Sequence, residues 1–220
     1  MEVLKLKLDR KSMLLYAITD RTWLKGETLS NQVEDAIKGG ATFIQLREKN
    51  LSFNDFVKQA EEIKIVTDKY NIPFVINDNI KVALAVDSDG VHVGQEDISV
   101  KEARKLIGED KIIGVSAQTV EQAVLAEQEG ADYLGVGAVF PTSTKSDANC
   151  ISLKQLKEIS MAVSIPIVAI GGINEENVEE LKGTNVDGIC VISAIFSKAN
   201  IFEATKKLRK LSEGIVDYEV

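Results

Sequence analysis

Five consecutive residues, Gln45, Leu46, Arg47, Glu48 and Lys49, end an apolar run and combine an amide with alternating charges. Arg47 and Lys49 are two positions apart, so both side chains point to the same face of an extended segment. Two neighbouring cations repel each other, and an anion placed between them relieves the repulsion. The segment therefore fits an anionic substrate group. A solvated loop with surface ion pairs is the alternative that the segment alone leaves open.

Two carboxylates, Asp78 and Asp97, also follow predicted strands, and Asn77 directly precedes the first of them. Mg²⁺ binds proteins through one or two carboxylates together with phosphate oxygens of a substrate. The pair therefore suits a magnesium site. Each aspartate taken singly also suits the N-cap of the helix that follows it.

Two segments have compositions that suit phosphate groups. Residues 142–145 place three hydroxyls, on Thr142, Ser143 and Thr144, beside the ammonium of Lys145, and such groups bind phosphate oxygens. Gly172 opens a predicted strand-to-helix turn, where backbone N–H groups can face an anion. A plain mobile loop and a plain tight turn remain open for these two segments.

The sequence offers few groups for base or nucleophile chemistry. His92 is the only histidine and lies within a predicted strand, which favours a structural role over that of a general base. Cys150 and Cys190 are too few for a disulfide framework or a thiolate metal site. We therefore interpret the polar residues as a binding and charge-stabilising set.

Strand and helix patterns alternate along the whole sequence and must position these groups. Apolar, β-branched segments predict eight strands, at 14–19, 42–47, 74–77, 90–93, 112–116, 132–137, 167–170 and 188–192. Helical spacing and capping signals predict helices at 29–38, 52–70, 80–86 and 201–212, and helix starts at Ser99, Thr119, Ser152 and Asn174.

This alternation predicts a single-domain (β/α)8 barrel over residues 1–220, of the TIM-barrel type. The active site of such a barrel lies at the C-terminal ends of the strands, where the polar residues above are found. The rival is an open, doubly wound sheet, which usually has a glycine-rich turn after its first strand. Residues 19–22 contain no glycine, so we favour the barrel.

The net charge of −8 argues against general binding to nucleic acid or an anionic membrane. No stretch is apolar enough to span a bilayer, and residues 1–10 lack the apolar core of a secretion signal. We therefore expect a cytoplasmic protein with small-molecule substrates. A homo-oligomer is left open.

Several short motifs, in one consistent order from the second strand to the eighth, resemble the thiamine phosphate synthase family. They are QLREK (45–49), ND (77–78), DGVHVGQED (89–97), GVS (114–116) with Thr119, GADY (130–133), PTSTK (141–145), GGI (171–173) and SAI (193–195). Each motif is weak alone, and the set is specific because it covers nearly the whole sequence.

The resemblance implies a transferase that joins a hydroxymethylpyrimidine diphosphate to a thiazole phosphate, forming thiamine phosphate and diphosphate. It implies that Asp78 and Asp97 bind Mg²⁺, and that Arg47, Lys49, Ser116 and Lys145 act in catalysis. It implies a pyrimidine diphosphate site formed by Gln45, Leu46, Arg47, Glu48, Lys49, Asn77, Ser116 and Lys145. It implies a thiazole phosphate site formed by Thr142, Ser143, Thr144, Gly172, Ile192 and Ser193.

Two other functions stay open beside this one. A barrel isomerase or aromatase acting on a phosphorylated thiazole would need a base and no metal. A non-catalytic sensor of phosphorylated ligands would need neither. Metal-dependent release of diphosphate from the two substrates would exclude both.

Lys145→Ala is expected to lower kcat more than Thr142→Ala, because an ammonium offsets diphosphate charge whereas a hydroxyl only orients a ligand. Thr142→Ala is expected mainly to raise KM for the thiazole phosphate. Steady-state kinetics with each substrate varied in turn measures both effects. If Thr142→Ala raises KM only for the pyrimidine diphosphate, the two halves of the site are assigned the wrong way round.

Overall fold

The structure is a computed structural model that describes residues 8–24, 26–142 and 150–216. Eight parallel strands form a closed barrel, because each strand pairs with the next in sequence and the last pairs with the first. This confirms the predicted barrel and excludes the open sheet. The strands are β1 (Leu15–Ile18), β2 (Phe43–Leu46), β3 (Phe74–Asn77), β4 (Gly90–Val93), β5 (Ile112–Ala117), β6 (Tyr133–Val136), β7 (Ile167–Ile170) and β8 (Gly188–Val191).

Helices cover the outside of the barrel and begin at polar caps. Ser99, Thr119 and Ser152 each accept a hydrogen bond from the backbone three residues later, which confirms these predicted helix starts. No helix among the described residues is long and apolar enough to cross a membrane. The helices are α1 (Leu29–Gly39), α2 (Phe53–Tyr70), α3 (Ile80–Ala85), α4 (Val100–Ile107), α5 (Val120–Gln128), α6 (Leu153–Ala162), α7 (Ser193–Phe196) and α8 (Ile201–Glu213).

The prediction that Asn174 caps an α-helix is wrong. Only a short 3-10 helix, Val178–Leu181, lies between β7 and β8. The Asn174 side chain accepts a hydrogen bond from the Glu176 backbone at 2.8 Å, and that of Asn177 accepts one from Asn174 at 2.9 Å. Such local side-chain bonds to the backbone compete with the regular helical bonds and favour a turn.

Side chains alternate between two separate layers along the strands. One set, which includes Ile44, Leu46 and Val91, packs between the strands and the helices. The alternate set points into the barrel, where Tyr16, Phe43, Val75, Tyr133, Val168 and Cys190 form a second cluster. Strand alternation therefore decides which residues can contact anything inside the barrel.

At the N-terminal end of the barrel, the same kind of hydrogen bond between neighbouring strands occurs four times. The residue just before each even-numbered strand accepts a hydrogen bond, through its side chain, from the first part of the preceding strand. The four bonds run from Leu15 N to Thr42 Oγ1 (2.9 Å), Phe74 N to Asp89 Oδ2 (2.8 Å), Ile113 N to Asp132 Oδ2 (2.9 Å) and Ile167 N to Asp187 Oδ2 (2.8 Å). Each bond pairs a buried backbone N–H that would be costly to leave unsatisfied. We call these four bonds the strand anchors.

Asp132→Ala is expected to lower the free energy of unfolding by about 3 kcal/mol. The substitution removes one strand anchor and leaves the buried guanidinium of Arg104 without its carboxylate partner. Arg104 donates to Asp132 at 2.6 Å, and its side chain is only 9% exposed. Urea unfolding measures the change. Glu158→Ala is the matched control, because its partner Lys154 is exposed, and we expect a loss below about 1 kcal/mol there. Equal losses in the two variants would contradict the anchor role.

Candidate active site

The five predicted site residues at the end of β2 point their side chains in different directions. Gln45 is buried inside the barrel, whereas the Leu46 side chain packs outward against the helices and can offer only its backbone to a ligand. Arg47 is half-buried and Lys49 is exposed at the rim. The Arg47 N–H donates to Thr19 Oγ1 at 3.2 Å, which ties the end of β2 to the end of β1.

Glu48 lies between the two cations, and its side chain turns away from them. The Glu48 side chain is 6% exposed, and its Oε1 atom lies 3.9 Å from Arg21 Nε, beyond hydrogen-bond distance. Burial raises the pKa of Glu48 above its ordinary value, and the Arg21 charge only partly offsets this. Glu48 therefore contacts the β1 loop in this structure, and its predicted role in binding the substrate stays a prediction.

Asn77, Asp78 and Asp97 come together at the ends of β3 and β4. The Asp78 N–H donates to the His92 carbonyl at 2.8 Å, which holds Asp78 against β4, and Asn77 Nδ2 donates to Asp78 Oδ2 at 2.5 Å. Asp97 Oδ2 accepts from the Gly94 N–H at 2.7 Å. Asp97 is close enough to act on the pKa of Asp78, so the two carboxyl groups lie near each other, and their binding of a metal ion stays a prediction.

The two carboxylates repel each other. The pKa of Asp78 is raised to about 6, chiefly by partial burial and next by the charge of Asp97, while Asn77 and Arg47 oppose the shift. Two hard oxygen ligands in mutual repulsion are a donor set that suits Mg²⁺, which needs only one or two carboxylates beside phosphate oxygens. Among the described residues, no three or more histidine, cysteine, aspartate or glutamate side chains come together in a group that could hold a metal ion.

Below the rim, five polar side chains form a continuous series of hydrogen bonds across the barrel. Gln45 Nε2 lies 2.5 Å from the Tyr16 hydroxyl, which lies 2.8 Å from the Tyr133 hydroxyl. The Tyr133 hydroxyl is 2.9 Å from His92 Nδ1, and His92 Nε2 is 3.0 Å from Ser116 Oγ. We call this series the hydrogen-bond relay. It connects two predicted substrate-binding residues, Gln45 and Ser116, through three residues that the sequence did not assign to the site.

The barrel is shaped to hold the relay. A side chain at Gly114 would place its Cβ 2.1 Å from the Tyr133 ring, and one at Gly135 would place it 3.3 Å from the His92 ring. The Tyr16 and Tyr133 rings also pack edge to face at 5.8 Å. Gly114 on β5 and Gly135 on β6 therefore leave the space that the Tyr133 and His92 rings occupy.

His92 is held neutral in this position. Burial lowers its pKa from 6.5 to about 4, because a charged imidazole would lose its hydration inside the barrel. Both ring nitrogens have hydrogen-bond partners, as expected of a satisfied histidine in the barrel wall or core, and the absence of a general-base role stays a prediction.

The predicted thiazole phosphate residues lie on the loops after β6, β7 and β8. Gly172 has a φ of +67°, and a Cβ there would lie 2.4 Å from the Pro141 carbonyl, so only glycine fits against the loop that carries Thr142. Ser193 is the first residue of α7, and Ile192 packs against the inner cluster. The predictions for Ser143, Thr144 and Lys145 lie outside the described residues.

The sequence reasoning missed Tyr16 and Tyr133. Both residues lie within predicted strands, where a tyrosine also fits an ordinary core position. The signal that could have found them is the alternation of side chains along a strand. Tyr133 and Gly135 lie on one face of β6, and Tyr16 lies on the inward face of β1. Their partners are fixed only by the pairing of strands around the whole barrel.

Comparison with known proteins gives a consistent family. A family model described as thiamine monophosphate synthase matches residues 15–195. The chain is 57% identical over 194 residues to the thiamine-phosphate synthase of Clostridium tetani, covering 88% of this chain and 93% of that one. It is 54% identical over 198 residues to that of Clostridium novyi, covering 90% and 97% of the two chains. A solved thiamine phosphate pyrophosphorylase from Pyrococcus furiosus superposes with a TM-score of 0.87 at 42% identity, covering 94% of this chain and 99% of that one.

Asp78→Asn is expected to stabilise the metal-free protein at pH 8. The Asp78 pKa is raised from 3.8 to about 6, so its ionisation lowers stability as pH rises between these values, and the amide removes that cost. We expect a gain of about 1 kcal/mol, less than the full shift implies because solvent screens the group. Thermal unfolding in EDTA at pH 8 and pH 4 measures it. A lower melting temperature at pH 8, or an equal gain at pH 4, would contradict the repulsion.

Proposed function

The chain belongs to the thiamine monophosphate synthase family of thiamine-biosynthetic enzymes, and we propose the reaction that its site performs. The substrates are 4-amino-2-methyl-5-(diphosphooxymethyl)pyrimidine and 4-methyl-5-(2-phosphooxyethyl)thiazole. The C–O bond to diphosphate breaks, the thiazole nitrogen bonds to the freed methylene carbon, and the products are thiamine phosphate and diphosphate.

The observation that carries this proposal is the pairing of Asp78 with Asp97 at the end of the barrel where Arg47 also lies. Arg47 is close enough to lower the Asp78 pKa, and Asp97 is close enough to raise it. A site with two hard anionic ligands and a cation favours a diphosphate bound together with a divalent metal ion. We propose that Asp78 and Asp97 hold Mg²⁺, which would supply charge neutralisation for the departing diphosphate.

The protein side chains then have two tasks, stabilising charge and positioning the acceptor. Arg47, Lys49 and Lys145 neutralise the leaving diphosphate, while Ser116 and Asn77 orient it. The electron-rich aminopyrimidine ring stabilises a pyrimidinylmethyl cation, and the thiazole nitrogen is already nucleophilic, so no general base is required. Preorganised charge and alignment are the main contributions to such a transfer.

The thiazole phosphate half is supported by the close contact between two loops. Gly172 packs against the Pro141 carbonyl, which brings the β7 loop beside Thr142. We propose that Thr142, Ser143, Thr144 and the backbone near Gly172, Ile192 and Ser193 bind the thiazole phosphate. A phosphate in this part of a (β/α)8 barrel commonly faces backbone N–H groups after strands seven and eight.

Asp78→Ala and Asp97→Ala are each expected to lower the rate of diphosphate release by about 10²–10³-fold with the fold intact, because each removes a preorganised charge-stabilising group. The assay follows diphosphate release from both substrates across a Mg²⁺ titration, with circular dichroism as the folding check. Asp110→Ala, in the α4–β5 loop, is the control and should behave as wild type. Near-normal activity of either variant at limiting Mg²⁺ would remove that residue from the site. Metal-independent turnover would contradict the proposal.

Replacing the methyl group of the pyrimidine with trifluoromethyl is expected to slow the chemical step by orders of magnitude, each tenfold loss being about 1.4 kcal/mol of barrier. The reason is that an electron-withdrawing group destabilises positive charge on the methylene carbon. Single-turnover rates with the two pyrimidines measure the effect. Nearly equal rates would rule out the dissociative path and favour direct displacement.

A further inference from the structure

The hydrogen-bond relay must have a direction. A neutral imidazole has one donor nitrogen and one acceptor nitrogen, and each hydroxyl has a single proton to donate. With a single proton on the His92 ring, every proton of the relay has a partner only if all of them point the same way. Two uniform directions meet this condition, whereas a mixed arrangement makes one tyrosine hydroxyl accept twice and leaves its own proton without a partner inside the barrel.

The direction decides what the two ends of the relay offer to a ligand. In the forward direction Gln45 Nε2 donates to Tyr16, Tyr133 donates to His92 Nδ1, and His92 Nε2–H donates to Ser116. The Gln45 amide oxygen, the second Nε2 proton of Gln45 and the Ser116 proton are then left for other partners. In the reverse direction Gln45 offers its NH₂ group, and Ser116 offers only lone pairs.

A diphosphate beside Ser116 selects the forward direction. Phosphate oxygens only accept hydrogen bonds at neutral pH, so Ser116 must donate to them and must accept from His92. The proton order then follows from one residue to the next as far as Gln45. The amide orientation in the structure, with Nε2 toward Tyr16, is the one that this direction requires.

We infer that Tyr16, Tyr133 and His92 are positioning residues that couple Ser116 to Gln45, so that binding a diphosphate at one end sets the site to prefer an amino over an oxo group at the other. This inference rests on the proposed function and on the predicted pyrimidine diphosphate site, which includes both Gln45 and Ser116. An oxo group would face the Gln45 oxygen and leave two buried acceptors unsatisfied. A site built for one hydrogen-bonding group rejects an analogue that cannot make the bond.

The packing of the barrel leaves room for the rings of the relay. A Cβ at Gly114 would lie 2.1 Å from the Tyr133 ring, and a Cβ at Gly135 would lie 3.3 Å from the His92 ring. The relay also lies directly beneath the rim, because Ser116 is only partly buried while Tyr16 and Tyr133 are fully enclosed. The Ser116 end can therefore meet a ligand at the rim, whereas Gln45, which is 1% exposed, can meet one only from inside the barrel.

The first test reads the direction without any turnover. His92 is the only histidine, so a long-range ¹H–¹⁵N spectrum of the untagged, full-length protein with Mg²⁺ and inorganic diphosphate reports one imidazole tautomer. We expect the proton on Nε2. A proton on Nδ1 would mean the reverse direction and would overturn the inference, whatever the enzyme's activity.

The second test reads the coupling through specificity. Tyr16→Phe removes the link to Gln45 and leaves the Tyr133–His92–Ser116 part intact, so the amide is free to turn. We expect the preference in kcat/KM for the 4-amino over the 4-oxo pyrimidine diphosphate to fall at least tenfold. The affinity for inorganic diphosphate should stay within about twofold of wild type, a split that a loss of folding would not produce.

The control is Tyr70→Phe, because the Tyr70 hydroxyl donates at 2.8 Å to Glu34, on helix α1. Its amino preference should equal that of wild type. If Tyr16→Phe folds poorly, Tyr133→Phe breaks the next link and should lose the preference as well. An unchanged preference in the folded variant, with an active wild type, would overturn the coupling. A wild type that converts neither pyrimidine would instead overturn the proposed function.

Discussion

Closure of eight short strands into a barrel imposes the constraint on which the other features depend. Every second side chain must enter an interior with no room for bulk water, so any polar group there needs a protein partner or a ligand. The interior of this barrel meets the constraint unevenly. Apolar residues such as Val75 and Val168 fill its lower part, and the polar side chains of Gln45, His92 and Ser116 occupy the part next to the rim.

This uneven filling explains why the site can combine rigidity with charge. The residues that would meet the diphosphate, such as Arg47 and Asp78, lie at strand ends where solvent and ligands have access. The residues beneath them are fixed by hydrogen bonds and ring packing, as in the 4.6 Å contact between Tyr16 and Phe43. Because the residues beneath the charged rim are held rigidly, less conformational entropy is lost when a ligand is bound in one orientation.

Much of this arrangement could be predicted from the sequence, because the signals were local. The strands and most helix starts followed from apolar runs and capping residues, and the polar rim followed from the positions at which the strands end. Asn174 was misjudged because a helix cap and an asparagine turn share the same residue type. The relay could not be predicted, since the contact between Tyr16 and Tyr133 joins residues that are 117 positions apart and depends on the closure of the whole barrel.

The strand anchors, at the end of the barrel opposite the proposed site, group the eight strands into pairs. Each anchor joins an odd-numbered strand to the even-numbered strand that follows it: β1 to β2, β3 to β4, β5 to β6, and β7 to β8. The barrel is thus assembled from four units of two strands. New chain termini created after β2, β4 or β6 would keep all four anchors within continuous segments, whereas termini created after β1, β3 or β5 would separate the partners of one anchor. The architecture therefore distinguishes tolerant from intolerant sites of circular permutation through bonds at the end of the barrel opposite the proposed site.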